Sequence, residues 1–197
     1  MVLINQLLVI VRNRLESVLQ GSHPQSESWV TIANPVEMDG TTTAGLANKI
    51  VLALVSLQAQ PATSAFSQTR LEASGSFAVG RPRVILDGYL LVAPNFTGQN
   101  YLSGLGMLSQ VVSYLQEVPV LTSEEVPELP RDCPRIAIEF VSLDFAQANN
   151  LMMIVGIKCF PFLLYRLRGL DLDGAAISGV APAVVAVDAR GRPGVPA

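Results

Sequence analysis

The chain has little with which to do chemistry. His23 is the only histidine among 197 residues, which removes imidazole-based triads and most His-ligated metal sites. It lies in a Gly-Ser-His-Pro turn and reads as a solvated loop residue. Charge is scarce too: 15% of residues are charged and the net charge is -3, with an isoelectric point near 5.1. No cluster of Lys and Arg interleaved with aromatics occurs, so a nucleic-acid partner is set aside. The two cysteines, Cys133 and Cys159, lack metal-ligand spacing and read as reduced thiols. There is no Walker loop and no Gly-x-Ser-x-Gly elbow. The expectation is a protein that is not an enzyme, with no catalytic residue, cofactor or metal.

What the chain has in quantity is apolar side chains, half of all residues, with a mean hydropathy of +0.41. Two runs test for a membrane segment. Met1 to Val11 is interrupted by Asn5 and Gln6 and has no charged stretch before it, so it reads as an amphipathic helix and not a signal peptide. Leu151 to Tyr165 holds Lys158 and Pro161 and falls short of the roughly 20 apolar residues a spanning helix needs. The expectation is a soluble chain made in the cytoplasm, not inserted in a membrane, with its apolar excess buried partly against partner subunits.

Ile4, Leu8, Val11, Leu15 and Val18 share one helical face, with Arg12, Asn13 and Glu16 on the other and Gly21 as the stop. Trp29 to Ala33 is a short strand. Lys49 to Leu57 is nearly continuous apolar sequence, as in a strand buried on both faces. Pro61 to Gly75 reads as a mobile loop. Val84, Leu86, Leu90 and Val92 mark a strand closed by Pro94, and Leu105, Leu108, Val112 and Leu115 a second helix stopped by Pro119. Pro119 to Pro134 reads as an irregular surface crossing. Ile136, Ile138 and Phe140 alternate in a strand, Phe145 to Ile154 forms a short helix, and Phe162 to Leu170 is the last strand.

This order predicts an α/β (α+β) fold: one mixed β-sheet of about four to five strands flanked by helices. Residues 1–173 would form the domain. Residues 174–197, rich in Ala, Val, Gly and Pro, would be an extended C-terminal arm ordered only on a partner, if at all.

Several near-motifs fail on inspection. Gly104-Leu105-Gly106-Met107-Leu108-Ser109 is close to a dinucleotide fingerprint. Its third glycine is Ser109, however, and Pro94 to Asn100 separate it from the strand, so the glycines read as small residues for close helix packing. Asp171-Leu172-Asp173-Gly174 opens like a calcium loop but lacks the further ligands. Glu124 and Glu125 lie in a Pro-rich loop with nothing to desolvate them. Three features suit binding. Arg166 and Arg168 on one strand face are either a solvated face or a contact for an acidic partner. Trp29 is either core, the favoured reading, or an interface anchor. The Val180 to Val187 run is equally a strand for a neighbour's sheet edge and an untethered tail.

Three segments carry a resemblance: Tyr89 to Phe96 followed by Tyr101 and a helix; Ile138 to Phe145 followed by Gln147, Asn149, Asn150 and Leu151; and Gly156 to Tyr165 with Arg166 and Arg168. In this order, together with Asn34-Pro35 and the Lys49 to Leu57 strand, residues 1 to 172 resemble the cap, or tail-terminator, proteins of extracellular and related contractile injection systems. The resemblance implies a tail-terminator-like fold. It also implies a structural cap that closes the inner tube and sheath at the baseplate-distal end of the particle. The cap would be a homohexamer whose partners are its own copies, the inner tube protein and the sheath protein. The alternative is an assembly chaperone or length-control factor that never enters the particle. The candidate partner-interface residues are Asn95, Phe96, Tyr101, Tyr165, Arg166, Arg168, Val184 and Val185.

Overall fold

A computed structural model describes residues 3–37, 39–60, 69–71, 77–80, 84–129, 135–157, 161–172 and 177–181. The readings placed on Cys133, Cys159 and Lys158, on Val184 and Val185, and on the arm other than Ile177–Ala181 lie outside these residues. The elements are α1 (Leu3–Ser22), β1 (Val30–Ile32), β2 (Lys49–Ala59), β3 (Thr69–Leu71), β4 (Phe77–Gly80), β5 (Val84–Asn95), α2 (Tyr101–Glu117), β6 (Val120–Thr122), β7 (Arg135–Phe140), α3 (Phe145–Val155), β8 (Leu163–Leu172) and β9 (Ile177–Ala181). They fall into two compact units, Met1–Gln60 with Ile85–Asp171, and Pro61–Val84 with Leu172–Ala197.

The larger unit is built on a six-stranded mixed sheet in the order β1-β2-β5-β8-β7-β6. β1 runs parallel to β2, and β2 antiparallel to β5 with a bulge between Leu54 and Ser56. β7 is antiparallel to both β6 and β8. Side chains alternate across a strand, and the two faces of β2 and β5 enter different cores. Ile50, Leu52, Leu90 and Val92 meet α1 and α2 in the main core. Ala53, Leu91 and Ala93, from the opposite face, meet Leu151 and Val155 of α3. Burial on both faces is what the unbroken apolar run of β2 requires, and Ile50 to Ala53 are all buried.

The buried stripe of α1 is Leu7, Val11, Leu15 and Leu19, turned slightly from the periodicity read along the sequence, so that Val18 is only half-buried. The polar side of α1 faces more than solvent. The Glu16 carboxylate accepts from the backbone N–H of Trp29 (3.0 Å) and of Val30 (2.8 Å) and from Ser28 Oγ (2.7 Å). Arg12 Nε donates to the Val30 carbonyl (3.1 Å). Together they hold β1, a three-residue edge strand, against the helix.

Two departures from the sequence reading concern this unit. The Pro-rich crossing contains β6, and Leu121, Val126 and Leu129 from it are buried in the main core. In β8, Leu163, Tyr165 and Leu167 face that core, yet so does Leu170, a step of three where alternation demands two. Gly169 between them has φ +91°, and a Cβ there would stand 3.2 Å from the Arg135 carbonyl oxygen. Only glycine takes that conformation without strain, and the irregularity re-aims Leu170 inward.

The smaller unit contains a three-stranded sheet, β3-β4-β9, with β4 antiparallel to both neighbours. Thr69–Leu71 therefore forms a strand inside the stretch read as a mobile loop. Ile177–Ala181, within the C-terminal arm, is extended and pairs with β4 of its own chain.

Candidate docking surface

The described interface candidates fall on three parts of the larger unit. Asn95, Phe96 and Tyr101 lie where β5 passes into α2. Asn95 Nδ2 donates to the Leu46 carbonyl (2.9 Å), and Asn95 lines a groove of about 330 Å³ with Pro35, Val36, Leu46, Gly156 and Ile157. Phe96 is buried and stacks on half-buried Trp29 with centroids 6.3 Å apart, so Trp29 serves the core. Tyr101, on the first turn of α2, is exposed. Beside it a more polar cleft of about 390 Å³ is lined by His23, Glu27, Trp29, Lys49, Asn100 and Ser103, among others. His23 is less solvated than its turn implied. Its carbonyl accepts from Trp29 Nε1 (2.6 Å), and its Nε2 lies 3.2 Å from Gln110 Nε2.

Tyr165 is on the α1/α2 face, buried against Phe140 across the strand pair with centroids 5.6 Å apart. Burial pushes its phenol pKa up, and its hydroxyl has no hydrogen-bond partner among the described residues.

Arg166 and Arg168 project from the other face. Glu139 is the register partner of Arg166, but Arg166 turns to Asp87 of β5, donating from Nε (2.9 Å) and from Nη2. Asp87, a buried carboxylate, also accepts from Gln60 Nε2 (2.7 Å). The hydrogen bond to Asp87 raises the Arg166 pKa above its ordinary value. Glu139 is left to accept from Arg168 Nη1 (3.0 Å). Both guanidinium groups thus already hold a carboxylate of their own chain. Among the described residues no group of three or more His, Cys, Asp or Glu could hold a metal ion, and no helix is long and apolar enough to cross a membrane.

The most exposed apolar surface was not singled out in the sequence. On α3, Phe145 is 97%, Met153 72% and Ile154 79% exposed. The helix is sharply bounded. Asp144 accepts from Gln147 N while the Gln147 side chain accepts from Asp144 N, and Gly156 closes the other end at φ +77°. The available signal was that every residue of α3 except Gln147, Asn149 and Asn150 is apolar.

The sheet is layered between α1/α2 on one face and α3 on the other. Residues 6–186 match the model of the Pvc16 N-terminal domain. The chain belongs to that family. No curated protein matches the chain in sequence. Among solved structures, the sheath/tube terminator of a PVC extracellular contractile injection system, in the extended state, is similar at a TM-score of 0.58 and 13% identity. That similarity covers 91% of this chain and 61% of the terminator. The tube-terminating cap of the anti-feeding prophage is similar at a TM-score of 0.49 and 12% identity, over 89% of this chain and 61% of that one. This Pvc16 N-terminal domain chain therefore spans about three-fifths of the length of the structures it matches.

Proposed function

We propose that this chain is a structural cap that terminates the inner tube and sheath at the baseplate-distal end of a contractile injection particle, without catalytic activity. The observation that carries the reading is the fold shared with a sheath/tube terminator over 91% of this chain, within a family whose model matches residues 6–186. The cap acts as a ring of about six copies, matching a tube built from rings. It stops growth by mass geometry: a filament propagates through a heterologous contact, and a subunit that offers only one side of it ends the series. Synthesis and assembly are cytoplasmic, and the finished cap is part of the particle.

The test is deletion of the gene followed by electron microscopy of purified particles, with complementation by the full chain. Loss of the end density and a broadened tube-length distribution are expected. Normal particles, or a chain found in the lysate but never in purified particles, would overturn the cap and leave the assembly-factor reading.

A further inference from the structure

We infer that Met153 is a site of reversible oxidation: a peroxide converts its thioether to a sulfoxide while the adjacent Met152 is spared. α3 then gains a polar group on its solvent side and the core keeps its packing. The inference is independent of the cap reading, because it concerns how the fold presents one side chain.

Three methionines lie among the described residues, and the fold sorts them. Met107 is 2% and Met152 6% exposed, whereas Met153 is 72% exposed. Met152 and Met153 are neighbours in one helix, so local sequence and helix stability are shared and burial is the difference between them. Oxidation of a thioether requires the oxidant to reach the sulfur. At Met153 that is free, and at Met152 it waits for α3 to open from the sheet. The helix is held at both ends, by the capping box of Asp144 and Gln147 and by left-handed Gly156, which keeps the two sulfurs in these different settings.

The surroundings of Met153 also suit the product. Asn149, four residues back, donates from Nδ2 to Met153 Sδ (3.7 Å). Asn150, three residues back, is exposed on the same side of the helix. A thioether sulfur is a weak acceptor and a sulfoxide oxygen a strong one, so oxidation improves what the Asn149 amide has to donate to. Sulfoxides damage proteins chiefly by putting a polar group into packed apolar surroundings. At position 153 the added oxygen stays in water beside two amides.

The step balances. A lone pair on Sδ attacks one peroxide oxygen, the S–O bond forms as the O–O bond breaks, and the sulfur gives up an electron pair. The proton on the attacked oxygen passes to the departing one, which leaves as water. A methionine sulfoxide reductase supplied with a dithiol reverses it: the thiols become a disulfide and the oxygen leaves as water.

The experiment treats the full chain with dilute hydrogen peroxide at neutral pH and follows each methionine by tandem mass spectrometry of its peptides. Met153 should take up oxygen at least about tenfold faster than Met152 and Met107, and in urea the three should react at similar rates. The chain oxidised at Met153 should keep its circular dichroism and leave a hydrophobic-interaction column earlier, and the reductases should restore its retention. Met153→Leu, a volume-conserving change, should remove that shift in retention. Oxygen on Met152 or Met107 as fast as on Met153 in the folded chain, or a Met153 that does not react, overturns the inference. So does oxidation at Met153 that unfolds the chain, or a Met153→Leu chain whose retention shifts as far as wild type.

Discussion

Gly104 lies so close to Phe96 that a Cβ added to it would stand 2.7 Å from the Phe96 Cβ and Cγ and 2.8 Å from Cδ2. No ordinary side-chain contact is that short, so the first turns of α2 approach the end of β5 only because position 104 has no side chain. Two residues on, Gly106 has nothing within 4 Å of its would-be Cβ. One glycine of the apparent fingerprint is thus a packing requirement and the other is not.

The pair gives a contrast that thermal melting can read. Gly104→Ala should destabilise by about 1–3 kcal/mol through overpacking against Phe96. Gly106→Ala, in an open helical position, should stabilise by about 0.5–1 kcal/mol. Equal effects from both would mean that the contact with Phe96 is not what keeps glycine at 104.

The two ion pairs on the sheet should differ in the same sense. Asp87→Ala removes a buried carboxylate that accepts from Arg166 and Gln60. The expected cost is about 2–3 kcal/mol, set by lost charge-assisted hydrogen bonds and moderated by the water that reaches Arg166. Glu139→Ala breaks an exposed pair with Arg168 and should cost about 0–1 kcal/mol. Urea titration at neutral pH separates the two outcomes.

Glu16 makes part of the stability depend on acid. Partial burial pushes its pKa up, but hydrogen bonds from Ser28, Gln20 and the Val30 and Trp29 amides outweigh this, and the net shift is down from 4.5. A carboxylate depressed by folding contributes fully above its unfolded value near 4.5, and the contribution is lost as pH falls through the lower folded value. Glu16→Gln should therefore lower stability at pH 7 by about 1–2 kcal/mol and flatten the fall of Tm below pH 4.5. A variant whose Tm falls with acid as steeply as wild type would place that dependence on other carboxylates.

The long elements were legible because each displays its own burial along the chain. The spacing of α1 and α2, the alternation of β5, β7 and β8, and the unbroken run of β2 follow from 3.6- and two-residue geometry, and these elements stand where the pattern put them. β3, β4, β6 and β9 were missed. Each is five residues or fewer, and Leu121, Val126 and Leu129 are spaced too irregularly to show a period. Among the interface candidates, residue type alone could not separate Tyr101, which is exposed, from Phe96 and Tyr165, which are buried. Val184 and Val185 remain proposals from the sequence.

The sequence by itself determined that the chain carries a single imidazole, a low share of charged residues and enough apolar residues for a mixed α/β layer. These are properties of composition and short-range spacing, and they hold wherever the chain is placed. Only the tertiary structure decided that Asp87 meets Arg166 from 79 residues away, that α3 lies across the sheet from α1 and α2, and that Phe145, Met153 and Ile154 are left uncovered. Such relationships depend on which strands pair and which faces are already filled, so distant segments settle them jointly and no window of sequence contains them.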